Sequence, residues 1–366
     1  MIATTTAARG VLVVDDSAFM RKLIGEMIGA HPGFSVVGFA RDGEDAMNQV
    51  ERLDPDIVTL DLEMPKLDGL DVLQRIMTKS PRPIVVLSAG GAQYGDATLR
   101  ALELGAVDFV RKPSGPVSLD LPIIRDRLVD ALEAAARATL ASPPAVVVAH
   151  HVGSPTESAT AQHAVQHAAQ HVVVIASSTG GPRALAEIIP RLPATLGAAV
   201  VVAQHLPGEF TAALANRLSR SSGMRVCEAA DGMLLSAGTV YIAHGGVNTT
   251  IAGAPGAATL HQHPSGPRAG ATPSADALFE TAAETFGPEC TGVVLTGMGR
   301  DGSLGLRQIR ARGGRAIVQD EASSAIYGMP RAALAEAGAD YVVSLSMMAN
   351  TIFDLVPKER LEWLTA

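Results

Sequence analysis

Short β-branched runs alternate with amphipathic stretches twice along this 366-residue chain, and no other feature constrains its fold more. In the first series, residues 11–14 (Val-Leu-Val-Val) form an apolar run that stops at Asp15-Asp16. Met20, Leu23, Ile24, Met27 and Ile28 then recur at helical spacing. Further strand runs fall at 34–39, 57–60, 84–87 and 107–110, with helical stretches between them and a last one over about 123–140. A strand period that keeps switching to a helical one predicts an α/β domain, a parallel doubly wound sheet with helices on both faces. Ligands of such a sheet bind at the carboxyl ends of its strands.

A second series starts at Val172, with strand runs at 172–175, 199–203, 240–243, 293–295 and 316–318. Helices are expected near 182–189, 210–220, 274–285, 302–311 and 329–337, and the insert around 253–268 reads as a hairpin or loop. This predicts a second doubly wound, mostly parallel α/β domain. No internal repeat relates the two series. Between them, residues 142–171 hold no Lys or Arg, one Glu, much Ala, Gln and Pro, and five of the ten histidines. The expected organisation is therefore a first domain over 10–135, an Ala/Gln/His-rich linker over 136–171 and a second domain over 172–355. His163, His167 and His171 are four residues apart and would align on a helix, but no carboxylate or Cys completes a metal set. They read as solvated linker residues.

Charge excludes some function classes. Lys and Arg number 15 against 20 acidic residues over 1–141, and 14 against 17 over the remainder, so no basic stripe suggests a nucleic-acid partner. Two cysteines, Cys227 and Cys290, are too few for a disulfide framework and read as reduced core thiols. No apolar run is long enough to span a bilayer, and the first ten residues hold no secretory apolar core. A cytoplasmic protein without direct membrane insertion is expected.

The first domain places acids at strand ends. Asp15 and Asp16 follow the first strand run and Asp61 follows the third; Ser88 ends the fourth and Lys112 follows the fifth. Strand ends on one edge of a parallel sheet converge, so three carboxylates would share one pocket. That arrangement needs a cation, and an oxygen-rich hard site suits Mg²⁺. With the Ser hydroxyl and the Lys ammonium, the pocket could hold a phosphoryl group and use a carboxylate as nucleophile. Any one of these Asp residues alone reads as a cap or turn; five matched positions at strand ends do not. The runs VLVVDDS, DLEMPKLDG, VVLSAG and DFVRKP make residues 10–135 resemble a response-regulator receiver domain, with its flavodoxin-like (βα)5 sheet. The resemblance implies that Asp61 is phosphorylated by a histidine kinase and that Asp15 and Asp16 hold Mg²⁺ with it. It makes Ser88 and Lys112 the switch hydroxyl and the phosphate-binding lysine.

In the second domain, the first strand run leads into Ala176-Ser177-Ser178-Thr179-Gly180-Gly181-Pro182, a tight strand-to-helix turn with Pro at a first helical position. A hydroxyl there faces a helix amino end, which favours an oxyanion; the same turn could instead cap the helix or hold a phosphate. The next strand runs into Gln204-His205-Leu206-Pro207, and a later one into Thr296-Gly297-Met298-Gly299-Arg300-Asp301-Gly302. Ser178, His205 and Asp301 thus each follow a strand, as nucleophile, base and orienting carboxylate must in order to meet at one sheet edge. Their chain order is not that of α/β-hydrolases, and no GxSxG elbow is present.

The segments ASSTGG, AQHLP, TPSADALF and GMGRDG are similar to those of the chemotaxis protein-glutamate methylesterases, the CheB family, and the receiver–linker–esterase order matches that architecture. The resemblance implies a phosphorylation-regulated serine hydrolase with catalytic Ser178, His205 and Asp301, lined by Thr179, Gly180 and Met298. It would cleave γ-glutamyl methyl esters on chemoreceptor cytoplasmic helices, releasing methanol, and also deamidate receptor glutamines, with no cofactor for the esterase step. Ala176 stands where the family commonly has Gly, and Thr272 where a basic residue is usual. The alternative is a response regulator with a non-catalytic binding output domain, for DNA for example. No helix-turn-helix or basic helix after residue 172 supports it.

Overall fold

A computed structural model of the chain describes residues 8–89, 91, 94–113, 121–139, 167–264 and 271–357. The first domain runs β1 (Arg9–Val14), α1 (Ala18–Gly29), β2 (Phe34–Ala40), α2 (Gly43–Leu53), β3 (Ile57–Asp61), α3 (Gly69–Lys79), β4 (Ile84–Ser88), α4 (Gly95–Glu103), β5 (Asp108–Arg111) and α5 (Leu121–Arg137). Its five strands are all parallel, in the order β2-β1-β3-β4-β5. Alternation along β1 explains the two helical layers. Leu12 and Val14 pack with Val50, Val72 and Ile76 on the face of α2 and α3, while Val11 and Val13 pack with Ile24, Ile28 and Leu128 on the face of α1 and α5. Strand order reverses between β1 and β3, so Asp15 and Asp61 flank the crevice where such sheets bind ligands.

The second domain continues with β6 (His171–Ser177), α6 (Gly181–Ile188), β7 (Ala198–Gln204), α7 (Gly208–Ser221), β8 (Arg225–Glu228), β9 (Thr239–Ile242), β10 (Asn248–Ala252) and β11 (Thr259–His263). It then runs α8 (Ala275–Phe286), β12 (Cys290–Val294), α9 (Ser303–Ala311), β13 (Arg315–Gln319), α10 (Met329–Ala337), β14 (Tyr341–Val343) and α11 (Leu345–Leu355). Seven parallel strands form one sheet in the order β14-β13-β12-β6-β7-β9-β8. The chain winds outward from β6 through β7, then returns to lay β12 on the other side. The switch point lies between β6 and β12, and Ser178 and Asp301 follow these two strands. β10 and β11 form an antiparallel hairpin whose first strand precedes the 253–268 insert read as hairpin or loop, and residues 265–268 of that insert lie outside the described residues.

Two edge strands, β8 and β14, were not legible in the sequence. Each is only three or four residues long and partly exposed, so neither shows the apolar run of a central strand. Of the three histidines read as solvated linker residues, His171 belongs instead to the second domain. His163 lies outside the described residues, and His171 opens β6, where its Nδ1 is 2.7 Å from Glu289. Cys290 starts β12 fully buried, and burial pushes its thiol far above the usual range, which suits a core thiol and not a nucleophile.

The domains pack against each other. Phe109 of β5 meets Phe210 of α7 edge-on with ring centroids 4.7 Å apart, inside an apolar cluster that runs from the sheet of the first domain to β6 and β7. Around it, Arg217 of α7 pairs with Glu103 and reaches Asp96 on α4 at 3.4 Å. The N–H of Thr139, just beyond α5, donates to the carbonyl of Ala325 at 3.1 Å.

Candidate active site and phosphoacceptor pocket

In the first domain, Asp15, Asp16 and Asp61 each present a carboxylate oxygen within 4.8 Å of the others. Lys112 Nζ lies 2.8 Å from Asp15 Oδ2 and 2.6 Å from Asp61 Oδ2, charge-assisted contacts from one ammonium to both carboxylates. Three clustered carboxylates with a single ammonium between two of them suit a hard cation that takes oxygen ligands. Burial pushes the Asp61 carboxyl up to about 6 against the pull of Lys112. Burial works against the Lys112 ammonium, but Asp15 and Asp61 outweigh it and its net shift is upward. Ser88 does not face the acids through a hydrogen bond; its Oγ is 2.7 Å from Thr98 Oγ1 on α4. A cavity of about 480 Å³ opens beside the acids, lined by Asp16, Ser88 and the 62–65 loop.

In the second domain the three strand-end residues converge. His205 Nε2 is 2.9 Å from Asp301 Oδ2. Asp301 is buried and gathers donors from the start of α8: Ala275 N at 2.7 Å, Asp276 N at 3.0 Å and Ser274 Oγ at 3.2 Å, with Gly302 N at 3.1 Å. The amino end of a helix therefore holds the carboxylate. With donors on every side Asp301 acts as acceptor, so His205 Nε2 carries the proton and its Nδ1 keeps the free lone pair. The motif TPSADALF thus acquires a physical role: Ser274 caps α8, accepting from Ala277 N, and also touches Asp301.

Ser178 sits just past β6. Its N–H donates to Thr296 O at 3.1 Å, and its carbonyl accepts from Gly181 N at 2.8 Å. Gly180 adopts φ +79° as the N-cap of α6, which begins three residues beyond Ser178. Gly297 must lack a side chain, because a Cβ there would lie 2.7 Å from Ser178 Cβ. Ala176, the departure noted in the sequence, is fully buried among Ala275 and Phe279, so its methyl is absorbed by the core.

A cavity of about 600 Å³ joins Ser178, His205, Asp301 and Met298, and Thr272 lies on its rim. Its other wall belongs to the receiver: Asp108, Arg127 and Asp130. Thr179 Oγ1 donates to Asp108 Oδ2 at 3.0 Å, and Arg127 spans both Asp108 oxygens at 3.0 and 3.1 Å. Neither Asp108 nor Arg127 was singled out from the sequence. The available signal was an acid inside the buried run 107–110, a buried charge that needed a partner.

A family model described as CheB methylesterase matches residues 173–352, and one for the response regulator receiver domain matches residues 11–123. A protein-glutamate methylesterase/protein-glutamine glutaminase of Geobacillus kaustophilus is 42% identical, over 94% of this chain and 98% of its own length. One from Caulobacter vibrioides is 41% identical over 96% and 98%. Among solved structures, the Thermotoga maritima CheB methylesterase catalytic domain is 38% identical with a TM-score of 0.50, covering 51% of this chain and 98% of that one. A receiver sheet joined to this catalytic domain, with near-complete coverage of such relatives, shows that the chain belongs to the CheB family of response-regulator protein-glutamate methylesterases.

Proposed function

We propose that Ser178 is the nucleophile of this methylesterase, His205 its general base and Asp301 the carboxylate that orients the base. The observation that carries this reading is the 2.9 Å contact between His205 Nε2 and Asp301 at the sheet edge that also holds Ser178. Ser178 Oγ attacks the γ-carbonyl of a glutamyl methyl ester while His205 Nδ1 takes its proton. The tetrahedral oxyanion forms near the amino end of α6, where the helix dipole favours negative charge. The imidazolium returns the proton to methoxide, methanol leaves, and water then cleaves the acyl-enzyme by the same route. A glutamine side chain would enter the same acyl-enzyme with ammonia as leaving group, which accounts for the paired activities in the relatives' name. The substrate we infer is the methylated cytoplasmic helix of a chemoreceptor. Ser178→Ala should abolish methanol release from methylated receptor; release that persists would overturn the assignment.

Regulation starts at Asp61, which we infer accepts a phosphoryl group from a histidine kinase. Asp15, Asp16 and Asp61 would hold Mg²⁺, which when bound neutralises charge on the phosphoryl oxygens. Lys112, which contacts Asp61, would pair with the same oxygens, and Ser88 would turn toward them from Thr98. Thr98 lies on α4, whose Asp96 and Glu103 hold Arg217 of α7. Losing the Ser88–Thr98 bond would loosen α4 against α7, and with it the domain contact that sets Asp108 on β5 and Arg127 on α5 beside Ser178, so that the site opens. Expected is a rise in esterase rate when a small-molecule phosphoryl donor is added, absent in Asp61→Ala. An unchanged rate would sink this regulatory reading.

A further inference from the structure

We infer that Gln204 is a positioning residue that holds the nucleophile and the base in register through a single side-chain amide. The inference rests on the roles proposed above for Ser178 and His205. Gln204 ends β7 directly opposite Ser177, the last residue of β6, and both are fully buried. Its Nε2 donates to the carbonyl of Ser178 at 3.0 Å and to that of His205 at 3.2 Å. Its Oε1 accepts from Ser177 Oγ at 2.7 Å. The orientation of the amide follows from chemistry, since two carbonyls can be satisfied only by the NH₂ end, which leaves the hydroxyl to donate to the oxygen.

Each of the two proton-transfer partners is therefore carried on a backbone that the same amide grips. The main chain adds one direct link, His205 N to Ser177 O at 3.0 Å. The neighbouring sequence is shaped around the amide as well. Gly181 has an ordinary φ, yet any Cβ there would collide with Gln204 Oε1 and lie 2.9 Å from Ser177 Cβ. The second glycine of the turn thus makes room for Gln204, while the first supplies the positive φ. Nucleophile and base must be held to a fraction of an ångström for proton transfer, and buried hydrogen bonds provide that only when each member is satisfied. Gln204 touches no reacting atom. It acts through the loops that carry them.

Gln204→Glu keeps the shape, removes the paired donors and sets a carboxyl against two carbonyls. We expect kcat for methanol release to fall about 10- to 100-fold with KM within about threefold of wild type. The melting temperature should fall, because two buried carbonyls lose their donors, while phosphorylation of the receiver by a small-molecule donor should be preserved. Ser177→Ala, which removes only the hydroxyl that orients the amide, should lower kcat by a smaller factor with the same split. In a His205→Ala background, Gln204→Glu should change the residual rate little, because no register remains to protect. A folded Gln204→Glu enzyme with wild-type kcat would overturn the inference. So would a full loss from Gln204→Glu in the His205→Ala background, or kcat and KM shifting together. If Ser178→Ala retains activity, the site reading itself has failed; if Ser178→Ala is inactive while Gln204→Glu is fully active, only the role of Gln204 has.

Discussion

The role proposed for Asp301 depends on that residue's surroundings. Four donors besides His205 converge on its carboxylate, three of them from residues 274–276. Replacing Asp301 by Asn would keep the size but place an NH₂ group against N–H donors. The imidazole would lose the acceptor that keeps the proton on Nε2 and the lone pair on Nδ1. Asp301→Asn should lower kcat on the order of 10³- to 10⁴-fold with little change in substrate affinity, measured by methanol release alongside receptor binding. The identity of Asp301 as a strand-end acid was legible in the sequence. Its donors were not, because Ser274 and Ala275 lie about 26 residues upstream and only the packing of α8 against α9 brings them to it.

At the scale of elements, the strand-to-helix turn after β6 has two glycines with different tasks. Gly180 supplies the left-handed conformation, and Gly181 yields space to Gln204. Gly181→Ala should therefore destabilise by about 1–3 kcal/mol through overpacking, read as a lower melting temperature of the catalytic domain. It should reduce methanol release as well, since the intruding methyl displaces the amide. The same substitution at an exposed helical position such as Gly29, where a Cβ meets nothing, should be neutral or mildly stabilising. The sequence predicted this turn from its Gly pair and Pro, and from the alternation of periods it predicted both parallel sheets. β8 and β14 escaped notice because edge strands this short carry too little apolar pattern to be distinguished from loop.

At the scale of the molecule, the receiver supplies one wall of the cavity beside Ser178. Asp108 carries the contact between the domains there: Arg127 holds it within the receiver, and Thr179, the residue next to Ser178, donates to it. Asp108→Ala should raise the unphosphorylated esterase rate about 5- to 10-fold, the effect of losing one charge-assisted bond across the interface. The rate with a phosphoryl donor should stay near that of the wild type. Assays of methanol release with and without the donor check both, and an unphosphorylated rate equal to that of the wild type would remove Asp108 from the coupling. Among the described residues no helix is long and apolar enough to cross a membrane.

What the sequence determined by itself is local and periodic: which runs are strands, which faces are apolar, and which polar residues fall at strand ends. Period-2 and period-3.6 patterns are properties of adjacent residues, so Asp15, Asp61, Ser178, His205 and Asp301 could be assigned to sheet edges without coordinates. Tertiary structure decided what those residues meet. It set the amino end of α8 around Asp301, tied Ser178 and His205 to Gln204, turned Ser88 toward Thr98 and laid Asp108 against Thr179. Those contacts join residues as far as 71 positions apart, Asp108 and Thr179 among them, and no periodicity encodes such a pairing. They come from packing two sheets and their helices together, where buried polar groups take whichever partners the fold delivers.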